Sequence, residues 1–176
     1  MTVSLTVMLL SENKRVDEMT GQKLAPELDV AQWLNTEVPH RLQDLRGRVV
    51  VIHAFQMLCP GCVSHGIPQA TAMDSTFPRG DVVVLGLHSV FEHHSVMGPE
   101  ALKAFIHEYR IPFPIAIDRH NAETDIPCTM QLYGLRGTPS VIIIDRQGTI
   151  RFNHFGVADD LKIGGFLGQL IAEPVN

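Results

Sequence analysis

Cysteine is scarce in this chain: three in 176 residues, at positions 59, 62 and 128. So few, with one left over, exclude a small scaffold stapled by disulfides. A surplus of positive charge is also missing. Fourteen Lys and Arg against 19 Asp and Glu give a net charge of −5, which leaves no broad basic surface for a nucleic acid. No apolar run reaches the roughly 18 residues that a membrane-spanning helix needs. The short apolar stretch from Val3 to Leu10 is interrupted by Ser4 and Thr6. It has no basic residue before it and no Ala-x-Ala-like site after it, so the sequence reads as leaderless and cytoplasmic. A periplasmic or exported location stays open if a leader precedes the sequence. There is no internal repeat and no low-complexity segment.

What is present describes one globular domain. Hydrophobic residues make up 45% and charged residues 19%, enough to bury a core without cross-links. Residues 1–23 read as a polar-ended extension, and 24–176 as a single domain. Val49 to Phe55 is a β-branched run typical of a strand buried on both faces. A helical segment follows from about Cys62 to Phe77, interrupted at Gly66 and Pro68. Asp81 to His88 is the next strand. Ala101, Leu102, Phe105, Ile106 and Tyr109 fall on one face of a helix that starts near Pro99. Short elements come next: a strand at Phe113 to Ile117 and a helix at Cys128 to Tyr133. Ser140 to Ile144 is a strand, Asp145-Arg146-Gln147-Gly148 a hairpin turn, and Thr149 to Phe152 its return strand. A final helix runs from Leu161 to Ile171, weakened by glycines. This order predicts an α/β fold: a mixed central sheet, parallel but for a C-terminal antiparallel hairpin, with helices on both faces.

The chemistry lies in Cys59-Pro60-Gly61-Cys62. A cysteine at the carboxyl end of a buried strand, just ahead of a helix, sits where open α/β sheets place reactive groups. The unpaired N–H groups and positive dipole end of the helix favour thiolate over thiol. Three-residue spacing brings the second sulfur to the same face, ready to attack a mixed disulfide on the first. A Cys-x-x-Cys is also half of a zinc site. His65, His93, His94 or Cys128 would have to complete it, and none shows a second paired spacing. Two inert structural thiols are the remaining alternative.

Four further segments carry a family resemblance: Ala25-Pro26-Glu27-Leu28, Leu45 to Val51, Tyr133 to Pro139, and Asp145 to Gly148. With the cysteine pair they make the chain similar to the thioredoxin superfamily, and more closely to its TlpA/ResA-like thiol oxidoreductases and AhpC/TSA-like redoxins, over residues 24 to 172. The resemblance implies a thioredoxin-like fold and a thiol–disulfide oxidoreductase that needs no cofactor or metal. Cys59 is then the attacking and Cys62 the resolving cysteine. Thr138-Pro139 is then a cis peptide that offers the Thr138 backbone to a substrate segment. Its partners would be protein or small-molecule thiols and disulfides, plus a separate electron donor.

The sequence also departs from that pattern. Leu58 stands where an aromatic residue usually precedes the first cysteine. Pro60-Gly61 differs from the Gly-Pro of thioredoxin, and Pro68 comes one residue late. His53 takes the place of a buried acid, making it a candidate proton acceptor for Cys62. The alternative for His53 is a core imidazole bonded to backbone. His88 to His94 read as part of a loop bordering the site. Cys128 reads as a packed or incidental thiol, with resolution of an oxidised Cys59 as the alternative. A thiol peroxidase is the rival enzyme, and a redox-inert binding module the non-enzymatic rival.

Overall fold

The structure is a computed structural model and describes residues 23–174. The Val3–Leu10 stretch and all of the expected extension except Lys23 lie outside the described residues. Six strands form one sheet in the order β1-β4-β3-β2-β5-β6. They are β1 (Val30–Leu34), β2 (Val49–Phe55), β3 (Val82–His88), β4 (Ile115–Asp118), β5 (Ser140–Ile144) and β6 (Ile150–Phe155). Strands β2, β3 and β4 are mutually parallel, while β5 runs antiparallel to β2 and β6 antiparallel to β5. The helices are α1 (Ile67–Thr76), α2 (Pro99–Glu108), α3 (Cys128–Leu132) and α4 (Asp160–Ala172). The architecture is the mixed α/β, thioredoxin-like one that the sequence predicts.

All seven residues of β2 and all seven of β3 are buried, because each strand is covered on both faces. Alternation along β2 splits the core. Val49, Val51 and Phe55 face α1, α2 and α4 through Ile67, Leu102, Leu167 and Leu170. Val50, Ile52 and Ala54 face the other way, toward Leu42 and Leu45 of a 3-10 turn and Met130 at α3. Apolar burial of this kind stabilises by about 25 cal/mol for each Å² removed from water.

Strand β1 is absent from the sequence-based element order. Its middle residues Ala31 and Gln32 are exposed, so it shows neither an apolar run nor clean alternation. It is a strand because it pairs antiparallel with β4, with a bulge between Val30 and Gln32. Asn35 ends it at a left-handed φ of 57°, and its amide donates to the carbonyls of Ile111 and Phe113, both at 2.8 Å.

The interruption expected at Gly66 and Pro68 takes a specific form. Cys62–Gly66 is a π-helical turn that runs directly into α1 at Ile67, and Pro68, which has no N–H to donate, falls just past this wider turn. Helix α4 forms despite its glycines. Asp159 caps it by accepting the Lys162 N–H at 2.9 Å, and Ile163, Leu167 and Leu170 bury its inner face.

Candidate active site

The end of β2 delivers Gln56, Met57 and Leu58 to the first cysteine, and the backbone N–H of Cys59 bonds back to the Gln56 carbonyl at 3.2 Å. Both thiols are free. The Cys62 thiol donates to the Cys59 sulfur at 2.6 Å, and the Cys62 backbone N–H reaches the same sulfur at 3.3 Å. Cys59 is half-buried, whereas Cys62 is fully buried. Burial, reinforced by the hydrogen bond to Cys59, pushes the Cys62 thiol up to about 12. The pair is therefore asymmetric: one accessible sulfur, and one enclosed sulfur held in the thiol form.

Opposite the cysteines lies Thr138-Pro139, whose peptide bond is cis. The Cys59 thiol donates to the Thr138 carbonyl at 3.4 Å. Two contacts fix this segment: the Ser140 hydroxyl donates to the Gly137 carbonyl at 2.7 Å, and the Gly156 N–H donates to the Pro139 carbonyl at 2.8 Å. Gly61 explains part of the dipeptide between the cysteines. A Cβ at that position would stand 3.3 Å from Cδ of Pro139, tighter than ordinary contact, so glycine lets the two segments close on each other.

His53 sits beneath the redox turn. A Cβ on Gly66 would collide with the His53 ring, and it would stand 3.4 Å from Cβ of Pro139. The imidazole therefore occupies the space left by a glycine four residues after Cys62, on the side of Pro139. Among the described residues neither ring nitrogen has a hydrogen-bond partner, so the expected alternative of a histidine bonded to backbone does not hold there. Burial lowers its pKa to about 4, and the ring is neutral at physiological pH. Sequence reasoning treated Gly66 only as a helix breaker. The missed signal was the pairing of a strand histidine with a glycine one turn into the next helix.

The other candidates separate. His88 is the last residue of β3, not a loop residue, and it is buried against Phe55 at 5.2 Å between ring centroids. Burial holds its pKa at about 4 as well. His93 and His94 are exposed, and the His94 ring meets His120 edge-on at 5.6 Å. Cys128 opens α3, with its N–H on the Arg119 carbonyl at 2.9 Å. Its helix packs on the sheet face opposite α1. Sequence reasoning also missed Asp118. This buried carboxylate accepts from the Ser89 hydroxyl and the Thr129 and Met130 N–H groups at 2.7 to 3.0 Å, clamping α3 to the carboxyl ends of β3 and β4. Among the described residues, no group of three or more His, Cys, Asp and Glu could hold a metal ion, and no helix is long and apolar enough to cross a membrane.

Known proteins share this fold. The crystal structure of a thioredoxin-like superfamily protein, SPOA0173, is 50% identical, covers 87% of this chain and 99% of its own, and superposes with a TM-score of 0.85. That of a thiol-disulfide isomerase from Corynebacterium glutamicum is 52% identical, covers 86% and 97%, and has a TM-score of 0.82. NHL repeat-containing protein 2 of Gallus gallus is 32% identical over 157 residues, which is 85% of this chain but 20% of that protein. The chain thus spans about a fifth of the length of the curated relatives it matches. Residues 22–153 match the AhpC/TSA family, and the chain belongs to that family within the thioredoxin superfamily.

Proposed function

We propose that the protein exchanges thiols and disulfides through Cys59 and Cys62, with Cys59 as nucleophile and Cys62 as resolving thiol. The observation that carries this reading is the 2.6 Å approach of an enclosed sulfur to an accessible one. In the reductive direction, the Cys59 thiolate attacks a substrate disulfide. A Cys59–substrate S–S bond forms, the substrate S–S bond breaks, and the departing sulfur takes a proton. Cys62 then loses its proton and attacks the Cys59 sulfur. The Cys59–Cys62 disulfide forms, the second substrate thiol leaves, and two electrons have passed to the substrate. An external dithiol must return the pair to its starting state.

In this scheme Thr138 and Pro139 form the substrate-binding edge, with the Thr138 backbone beside the attacking Cys59 sulfur. His53 is the group we assign to proton transfer with Cys62. Its ring packs against Gly66, four residues after Cys62, and among the described residues neither nitrogen has a hydrogen-bond partner. Direction of flow depends on the compartment, since the same dithiol reduces in a reducing pool and is kept oxidised in an oxidising one.

The test is insulin reduction with dithiothreitol, together with trapping by a chromogenic disulfide. Wild type turns over. Cys59→Ser is inert, and Cys62→Ser accumulates one stoichiometric mixed disulfide. Activity that survives Cys59→Ser overturns the assignment. The peroxidase reading draws on the AhpC/TSA membership. The enclosure of Cys62 weighs against that thiol as a peroxide target, and loss of hydrogen peroxide faster than insulin reduction would reverse the ranking.

A further inference from the structure

Between β6 and α4 lies a cavity of about 400 Å³, within the size range of specific ligand clefts. Phe152, Ala158, Ile163 and Phe166 form its walls, with the two phenyl rings 6.1 Å apart. Its mouth is formed by Val157, His154, Asp159 and Lys162. Val157 is 54% exposed, and Leu161 on the next turn is 86% exposed.

The segment that opens the cavity is held against the cis-proline. Gly156, which precedes Val157, donates to the Pro139 carbonyl at 2.8 Å. From the other side, Gln69 of α1 donates to the Ala158 carbonyl at 2.8 Å and to Asp160 at 2.6 Å. Hydrogen bonds thus tie the cis-proline segment and helix α1 to the loop 156–160 that borders the cavity.

On the reading that Cys59 attacks disulfides, we propose that this cavity is a specificity subsite for polypeptide substrates, taking an apolar side chain two residues from the attacked cysteine. An extended substrate pairing beside Thr138 presents alternate side chains to the same surface, about 7 Å apart. One of them is the cysteine, and the next on that face reaches past Pro139 toward the Gly156–Val157 segment hydrogen-bonded to it. The mouth carries one acid and one base, Asp159 and Lys162, so no single sign of charge selects the occupant. The aromatic walls do that, and they favour a phenyl or branched aliphatic side chain. A small disulfide that fills only the Cys59 end gains nothing from the subsite.

The experiment uses two disulfide-cyclised peptides, identical except that the positions two before and two after the attacked cysteine are Phe in one and Ser in the other. The wild-type protein reduces the Phe peptide with a kcat/KM at least about tenfold higher, the discrimination a hydrophobic pocket provides. Val157→Asp, which places a charge in the half-exposed mouth, brings the ratio close to one. Val38→Asp, an exposed control far along the chain at 62% exposure, keeps the wild-type ratio. Equal rates on the two peptides, or a ratio unchanged by Val157→Asp, overturn the subsite while leaving disulfide exchange intact. Failure to reduce either peptide overturns the exchange reading, and the subsite falls with it.

Discussion

Acid should unfold this protein more readily than its carboxylates alone would cause, because His53 and His88 are buried as neutral rings. Each has its pKa lowered by burial from 6.5 to about 4. The unfolded chain therefore takes up these protons first. The stabilisation is complete above the unfolded value and is lost as the pH falls from about 6.5 toward 4. A shift of about 2.5 units corresponds to roughly 3.4 kcal/mol per ring over the whole window, at about 1.36 kcal/mol per unit. Between about pH 7 and pH 5, the same relation removes about 1.8 kcal/mol per ring, or about 3.6 kcal/mol for the two. That is a large share of the roughly 5–15 kcal/mol typical of a folded domain. Asp118, raised by burial, works in the opposite direction, since the fold takes its proton first, and it blunts the loss at the acid end. His40, lowered by partial burial, adds to the loss. Urea unfolding at a series of pH values measures the effect. Far-UV circular dichroism is the better probe, because His40 meets the single tryptophan, Trp33, edge-on at 5.2 Å and its titration would alter the fluorescence. His53→Leu should reduce the pH 7 to pH 5 drop by about half. A wild-type drop below about 1 kcal/mol, or an undiminished drop in the variant, refutes the reasoning.

Three other outcomes follow from the same geometry. Iodoacetamide at about pH 8 should label Cys59 more than about a hundredfold faster than Cys62, which is enclosed and held in the thiol form; peptide mass spectrometry measures both rates. Gly66→Ala should cost about 1–3 kcal/mol by driving a methyl into the His53 ring. In a His53→Ala background the cost should largely vanish, and a double-mutant cycle by urea melts reports that coupling. Leu167→Ala should destabilise by about 2–5 kcal/mol, since Leu167 is fully buried beneath the sheet; equilibrium unfolding measures the loss.

The sequence by itself determined the elements whose local pattern and burial agree. Val49 to Phe55 reads as a doubly covered strand because it is one, and the cysteine spacing and Thr138-Pro139 are visible without coordinates. Ser140 to Phe152 declares its hairpin through the Asp145–Gly148 turn. Helix α2 shows its apolar stripe at Leu102 and Ile106. Each of these is a local regularity, enforced by a face that must leave water.

Only the tertiary structure decided the rest. Strand β1 has no pattern of its own and exists because it pairs with β4. His88 closes β3, as the strand reading has it, but only packing decided that its ring lies buried against Phe55 and not in the loop bordering the site. The environment of His53 depends on Gly66 and Pro139, 13 and 86 residues away in the chain. The enclosure of Cys62 likewise depends on core residues distant in sequence, such as Val141 and Leu167. Spacing nominates residue types for chemistry. Which of them are desolvated, accessible or partnered is set by long-range packing, and that packing is what makes the two sulfurs of one short motif unequal.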